Sequence, residues 1–259
     1  MKKILLRIAR WLRNLLLFLF VFSLFMVLLY KWVPVYTTPT MVQFQISQWT
    51  KNDKEKVEFY HKWMPLESIS RNLQQAVVAS EDNLFLLHSG IDYKAIEIAR
   101  KEAERGRRLR GASTISQQTA KNVFLWQNRS WIRKGLETYF TFLIEFVWGK
   151  ERIMEVYLNS IEMGNGIYGA EAVARRHFNK PASRLTAPEA ALIAASLPNP
   201  KRFNSARPSA YMLKRQVQIM SLMDKIVPVN FDDKTKKEKA SNPPQQKKRK
   251  SKSTKTKNK

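Results

Sequence analysis

The sequence of 259 residues contains no cysteine, few histidines and few acids. The lack of cysteine excludes disulfide bonds and thiolate chemistry. Three histidines, His61, His88 and His177, give little basis for a zinc site, so no metal site is predicted. Only 21 acidic residues stand against 46 lysines and arginines, and the formal net charge is +25. A chain this basic is suited to nucleic acid, an anionic membrane surface or a phosphate-bearing substrate.

Charged residues are also absent from Asn14–Tyr30, a run of 17 residues that are mostly Leu, Phe, Val and Met. A run of this length is at the short end of what spans a bilayer. Five basic residues precede it and only Lys31 follows closely, so the positive-inside rule places the N-terminus in the cytoplasm and the rest of the chain outside. The five are Lys2, Lys3, Arg7, Arg10 and Arg13.

A cleaved signal peptide is the alternative interpretation of this run. Its last residues, 25–30, are bulky where signal peptidase needs small side chains, and we therefore expect an uncleaved anchor. Pro34 and Pro39 then favour an extended linker, and the residues after 230 contain too few apolar side chains to fold. The predicted order is a cytoplasmic basic segment (1–13), a transmembrane signal anchor (14–32), a linker (33–42), a globular domain (43–229) and a disordered basic tail (230–259).

The globular part shows helical periodicity from Ile69 to about Met223, with no β-hairpin signal and no repeat of fixed period. The predicted fold class is all-α. A tight turn is predicted at Gly164-Asn165-Gly166. The predicted helices are Ser70–Asp82, Asp92–Glu104, Ser113 or Thr114 to Leu125, Trp131–Val147, Lys150–Asn159, Tyr168–Phe178, Ala187–Ser196 and Ser209–Ile226.

Glu81 is the first candidate for chemistry, because it falls on the apolar stripe of its predicted helix, four residues after Val77 and eight after Leu73. Burial at the edge of the core would favour the neutral carboxyl and raise its pKa, which suits a general base. The alternative is that Glu81 or Asp82 only binds a neighbouring cation, and the acidic pair alone favours this alternative.

Cations and polar side chains follow. Residues 105–111 contain four arginines just before a predicted helix start, and both features favour anions. Ser113, Gln117 and Lys121 recur at helical spacing, and such a face could hold a sugar and a phosphate. Arg133 and Glu137 lie one turn apart on the next helix, where the simplest alternative is an ordinary helical ion pair.

These segments resemble, in order, five motifs of the peptidoglycan glycosyltransferase family, the lysozyme-like transglycosylases, from about Met64 to Ser205. Five motifs in order are far more specific than one, and they outweigh the ion-pair interpretation of Glu81. The matching residues are Glu81, Asp82, Phe85, His88, Gly90 and Asp92; then Gly111–Gln118 with Lys121 and Asn122; Arg133, Lys134 and Glu137; Lys150–Asn159 with Gly164; and Ala187–Ala191 with Leu197–Pro200.

The sequence departs from the family pattern at two positions. Some members carry a basic residue where this chain has Ile98 and Leu136, and Arg100 could substitute for the former. The monofunctional members are the most similar subgroup, because the Ser-x-x-Lys and Lys-Thr-Gly motifs of a penicillin-binding domain do not occur.

The resemblance implies a two-lobed, lysozyme-like helical domain. Such a domain transfers a growing glycan from undecaprenyl pyrophosphate to the 4-hydroxyl of the N-acetylglucosamine of lipid II, with inversion. Glu81 would be the catalytic base, and Glu137 would position or stabilise the donor. Cations would bind pyrophosphate, namely Lys121, Arg129, Arg133 and Lys134, with Lys150 a weaker candidate. Other polar residues would hold sugars or shape the cleft, namely Ser113, Gln117, Gln118 and Asn122, whereas His88 would buttress its loop.

No cofactor is expected to be required, although a divalent cation could stimulate the reaction at the pyrophosphate. The expected partners are lipid II, lipid-linked glycan, membrane lipid and cell-wall synthesis or division proteins, and not nucleic acid. The expected location is the cytoplasmic (inner) membrane, crossed once, with the N-terminus inside and the catalytic domain on the periplasmic or outer face.

Two other classes of function are considered. A lysozyme-like lytic enzyme would cut glycan with one glutamate as acid, but it would not need a dense track of cations. A membrane-tethered binding protein for nucleic acid or anionic lipid is suggested by the basic cluster 247–250. The predicted topology places that cluster outside the cell, away from nucleic acid.

Overall fold

The computed structural model describes residues 2–106, 111–128 and 130–231. The all-α fold class is confirmed, because these residues form ten α-helices and only one small sheet. The helices are α1 (Lys2–Trp32), α2 (Pro39–Trp49), α3 (Arg71–Glu81), α4 (Tyr93–Glu104), α5 (Ile115–Phe124), α6 (Trp131–Val147), α7 (Gly149–Ser160), α8 (Ala170–Phe178), α9 (Ala187–Ser196) and α10 (Ala210–Met223). The strands are β1 (Tyr60–His61), β2 (Glu162–Gly164) and β3 (Ile167–Tyr168). The predicted disordered tail lies outside the described residues, apart from 230 and 231.

The N-terminal helix α1 is long and apolar enough to cross a membrane, and most of its large apolar side chains are exposed. It starts well before the predicted span because the basic segment before that span is also helical. Its C-terminal part packs on the rest of the domain. Val27 is fully buried, and the Trp148 indole donates a hydrogen bond of 2.7 Å to the Val27 carbonyl.

The predicted linker is only partly extended, because α2 begins inside it at Pro39. Thr38 is the N-cap, and its hydroxyl oxygen accepts the Met41 N–H at 3.2 Å. Proline is well suited to the next position, where a helix has no use for a backbone donor. Met41 and Phe44 then pack against Tyr168, so α2 belongs to the domain rather than to a connector.

A three-stranded sheet corrects the expectation that the domain contains no hairpin. β2 and β3 are antiparallel, and β1 pairs with β3 in parallel. Strands of two or three residues are too short to show an alternating pattern. The turn predicted at 164–166 joins β2 to β3 and is confirmed. Gly166 is required there, because its φ is +74° and a Cβ would lie 2.3 Å from the Glu58 carbonyl oxygen.

The helices form two groups. α3, α9 and α10 pack on one another, while α5 packs on both α6 and α7, and α1 packs on α6. The apolar face of α3, including Leu73 and Val77, is fully buried. Glu81 is the last residue of α3 and contacts the side chain of Gln118 on α5. The catalytic candidate therefore lies where the two groups meet.

Candidate active site

Glu81 ends α3 with its side chain half-buried at the edge of a cavity of about 370 Å³. The Gln118 amide nitrogen donates a hydrogen bond to its carboxylate at 3.0 Å. Burial raises the pKa of the Glu81 carboxyl above its ordinary value; the Gln118 hydrogen bond and the positive charge of Arg215 oppose this effect, and Asp82 adds to it. The direction is the one predicted from the apolar stripe.

Asp82, in contrast, is buried and fully engaged. It accepts the Ile115 N–H at the start of α5 at 3.0 Å and lies 2.9 Å from Nε2 of His88. Because the Gly90 N–H donates to Nδ1 of His88 at 3.1 Å, the ring proton lies on Nε2 and is donated to Asp82. Asp82 therefore ties the end of α3 to the start of α5, and His88 buttresses the loop as expected.

The loop after Asp82 is packed too tightly for any residue but glycine at position 90. Gly90 has a φ of +92°, and a Cβ there would lie 2.8 Å from the Thr141 side chain on α6. The Thr114 hydroxyl donates to the Gly90 carbonyl at 2.6 Å. The motif around His88 thus holds Glu81 in place through backbone contacts with both α5 and α6.

The predicted face of Ser113, Gln117 and Lys121 does not form as one helical stripe. Ser113 precedes α5, is exposed and lines the cavity of Glu81. Gln117 is buried, and its side-chain oxygen accepts the Thr114 N–H at 3.0 Å, as part of a capping box. The side-chain oxygen of Gln117 is therefore used to start α5, and contact of this residue with a sugar stays a prediction.

A second cavity of about 330 Å³ is lined by Gln118. It is lined by predicted site residues from α5 and α6 and by residues from distant parts of the chain. Among the linings are Gln118, Lys121, Asn122, Arg133, Thr40 and Glu162. Gln118 lines this cavity and donates its hydrogen bond to Glu81, which lines the first. One hydrogen bond therefore joins a lining residue of the first cavity to a lining residue of the second.

The predicted cluster of Arg133, Lys134 and Glu137 is present on α6. Glu137 is only 4% exposed, and its carboxylate accepts hydrogen bonds from Lys134 Nζ and, at 3.5 Å, from Arg133 Nη1. The Arg133 Nε is buried and has no hydrogen-bond partner among the described residues. Arg133 lines the second cavity, and its guanidinium charge there is favourable for an anion.

Lys150 lies elsewhere. Its ammonium contacts Glu145 at 2.6 Å and lies 4.7 Å from the centre of the Phe85 ring. Burial lowers the pKa of Lys150, and Glu145 counters that effect. Glu145 also accepts a hydrogen bond from Ser116 on α5. This arrangement makes Lys150 part of the packing between α5, α6 and α7, and the structure gives its weaker candidacy no support.

Two parts of the predicted basic track lie outside the described residues, namely Arg129 and the segment 107–110. Within the described ranges, no group of three or more His, Asp or Glu side chains is arranged to hold a metal ion.

Arg215 is the main residue that sequence reasoning missed. It lies on α10 and lines the cavity of Glu81, and its positive charge lowers the pKa of the Glu81 carboxyl. Thr40 of α2 and Glu162 of β2 were also missed in the second cavity. A helix over Ser209–Ile226 was predicted, but its periodicity does not show which of its cations faces Glu81 at the end of α3.

Comparisons with known proteins agree with this geometry. Residues 48–224 match the family model described as Transglycosylase. The chain is 58% identical over 218 residues to the "Biosynthetic peptidoglycan transglycosylase" of Bacteroides thetaiotaomicron, covering 84% of this chain and 87% of that one. Proteins of the same name from Bdellovibrio bacteriovorus and Pseudomonas putida are 50% and 48% identical, over 87% and 79% of this chain and 89% and 86% of theirs. The chain therefore belongs to the transglycosylase family.

Proposed function

We propose that this chain polymerises the glycan strands of peptidoglycan. It transfers a growing glycan from undecaprenyl pyrophosphate to the 4-hydroxyl of the N-acetylglucosamine of lipid II. One observation carries the proposal: the Glu81 carboxylate lines one cavity and accepts a hydrogen bond from Gln118, which lines a second cavity together with Lys121 and Arg133. The family and the names of the relatives support the same activity.

The acceptor sugar is placed in the first cavity, where its 4-hydroxyl can reach Glu81. The donor is placed in the second, where cations can bind its pyrophosphate. In one displacement the hydroxyl oxygen bonds to the anomeric carbon, and the bond from that carbon to the pyrophosphate oxygen breaks, with its electron pair leaving on the pyrophosphate. The hydroxyl proton goes to Glu81, and the anomeric configuration inverts. A carboxylate whose pKa is raised by burial is the stronger base for this step.

Negative charge on the leaving group requires fixed positive charge beside it. Lys121 and Arg133 supply that charge in the second cavity, and Lys134 adds to it from the same turn of α6. The guanidinium of Arg133, which lines that cavity, suits a phosphate oxygen. We assign Arg129 to the same group by its position in the sequence. Glu137 acts as a positioning residue, because it holds both Arg133 and Lys134.

Polar side chains complete the two sites in this proposal. Gln118 and Asn122 contact sugar in the second cavity, and Ser113 does so in the first. The displacement uses no cofactor. A divalent cation that stimulates the reaction would be bound by pyrophosphate oxygens, because the described residues offer no metal-ligand cluster of their own.

A lipid-linked substrate also requires contact with the membrane. α6 exposes large apolar side chains, with Trp131 93% and Phe146 91% exposed. α1 packs on the same helix, and the Ser23 and Tyr139 hydroxyls lie 2.7 Å apart. We propose that α1 spans the cytoplasmic (inner) membrane once with the N-terminus inside, and that the exposed face of α6 lies in the outer surface of that bilayer. Cell-wall synthesis or division proteins are the expected protein partners.

Incubation of the full-length protein with lipid II and, separately, with finished glycan tests the proposal. A polymerase converts lipid II into long glycan and leaves finished glycan intact. A lytic enzyme cleaves finished glycan and leaves lipid II unchanged. The second result would overturn the proposed function.

A further inference from the structure

Tyr157 lies in α7 with its side chain fully buried. Its hydroxyl donates a hydrogen bond of 3.4 Å to the side-chain oxygen of Gln118. The nitrogen of the same amide donates to the Glu81 carboxylate at 3.0 Å. A chain of two hydrogen bonds therefore runs from a buried phenol, through one amide, to the carboxylate that we propose as the base.

The direction of this chain follows from the chemistry of its members. An ionised carboxylate only accepts hydrogen bonds, so the amide nitrogen of Gln118 must face Glu81. The amide oxygen then faces Tyr157, which must donate its proton. Without the phenol hydroxyl, the amide would lose one of the two contacts that fix its orientation. An amide oxygen that is buried without a hydrogen bond costs free energy, and the Tyr157 hydroxyl removes this cost.

We propose that Tyr157 is a positioning residue that fixes the Gln118 amide and, through it, the orientation and charge of the Glu81 carboxylate. The proposal rests on the proposed role of Glu81 as the base. Tyr157 does not touch the reacting atoms. It holds the oxygen end of the Gln118 amide, so that the nitrogen end stays on the base before the proton transfer.

The other groups that act on Glu81 do not depend on Tyr157. Arg215 approaches from α10 and Asp82 is the next residue, while the Ser80 hydroxyl lies 3.5 Å from the carboxylate. Asp82 is held by His88 and by the start of α5. A change in the titration of Glu81 on loss of the phenol hydroxyl is therefore transmitted through Gln118.

The test is a measurement of the Glu81 pKa in the full-length protein, by carbon NMR of labelled glutamate carboxyls, with Glu81→Gln identifying the signal. The Gln118 hydrogen bond favours the charged carboxylate, so its loss raises the pKa. We expect Tyr157→Phe to raise it by about 0.5 to 1 pH unit. Gln118→Met should raise it at least as far, and the double variant should match Gln118→Met alone.

Ser160→Ala is the matched control, because Ser160 lies on the same helix and its buried hydroxyl has no hydrogen-bond partner among the described residues. It should leave the pKa unchanged. In kinetics, Tyr157→Phe should move the acid limb of the pH profile of kcat to higher pH by the same amount, with little change in KM. If Tyr157→Phe does not fold, the ζ-carbon signal of Tyr157 should shift in Gln118→Met instead.

An unchanged Glu81 pKa in Tyr157→Phe, or shifts that add in the double variant, would overturn the inference. If Tyr157→Phe does not fold, an unmoved ζ-carbon signal of Tyr157 in Gln118→Met would overturn the inference. The NMR readout needs no activity. If Glu81→Gln still polymerised lipid II, the proposed role of Glu81 as the base would fail. The NMR titration of Glu81 would still decide whether Tyr157 acts on its carboxyl through Gln118.

Discussion

Arg133 lies 3.5 Å from Glu137, one helical turn away, and the guanidinium keeps one buried nitrogen without a partner in the described part of the chain. The carboxylate thus holds the cation in place beside the second cavity. This relationship separates the two acidic candidates in the proposed mechanism, where Glu81 accepts a proton and Glu137 positions positive charge.

Glu137→Gln should therefore lower activity without removing the base. The neutral amide holds Arg133 and Lys134 less firmly, and misplacement of catalytic groups by about 1 Å can cost on the order of 100-fold in rate. We expect a fall of that size in kcat for lipid II polymerisation. Glu67→Gln, at an exposed glutamate, is the control. Activity at the level of the control would contradict the positioning role.

Arg215→Gln should shift the pH dependence of polymerisation. Burial already raises the pKa of Glu81, so activity should fall on the acid side at a pH above the value of about 4.3 for an exposed glutamate. The base must be ionised, and the positive charge of Arg215 favours that form. Its removal should move the acid limb of the kcat profile to higher pH, by about half a unit.

Arg207→Gln removes the same charge at an exposed arginine that does not act on Glu81, and the profile of this variant should match that of the wild type. An acid limb that moves to lower pH in Arg215→Gln would show that the two groups do not interact as described.

Arg152 joins the end of α1 to the rest of the domain. Its guanidinium donates to the Tyr30 carbonyl at 2.9 Å and to the Val33 carbonyl at 2.7 Å, where α1 ends. Arg152→Ala leaves these carbonyls without their donor and should destabilise the protein by about 1–3 kcal/mol. Thermal unfolding in detergent measures the loss. Arg100→Ala, at an exposed helical ion pair, should have almost no effect. Equal melting temperatures for the two variants would show that the Arg152 hydrogen bonds to these carbonyls do not stabilise the protein.

Trp131 tests the proposed membrane face. Its side chain is 93% exposed at the start of α6, and an indole at a bilayer surface is quenched by brominated lipids. Full-length protein in such vesicles should lose part of its quenching in Trp131→Phe. Trp148→Phe serves as the comparison, because that side chain is buried and donates a hydrogen bond to the Val27 carbonyl of α1. Equal quenching of wild type and Trp131→Phe would place this face in water.

Most helices could be predicted from the sequence because their signals are local. Ser70, Asp92 and Thr114 cap helices in the structure at the predicted starts. The helix α2 was not predicted, because its cap at Thr38 lies in a proline-rich stretch that also fits an extended chain. The sheet was missed because its strands are too short to show a period.

The site was predictable only in part, for the same reason. Glu81 falls on the apolar face of α3, and Arg133, Lys134 and Glu137 lie within about one turn of α6. Helical spacing alone predicts both arrangements. The capping role of Gln117 was not predicted, because a capping glutamine and a ligand-binding one can have the same spacing along a helix. Arg215 and Tyr157 reach Glu81 and Gln118 from distant elements, and no local pattern predicts such contacts.

The central claim is that Glu81 takes the proton from the acceptor hydroxyl. The most direct test is the rate of lipid II polymerisation by purified full-length Glu81→Gln, with its folding checked by thermal unfolding. The amide keeps the shape of the side chain and removes the cost of a buried charge, so the variant should be at least as stable as the wild type. We expect loss of polymerisation by at least about 100-fold, since general base catalysis contributes on that order. Polymerisation at the wild-type rate by a folded Glu81→Gln protein would contradict the claim.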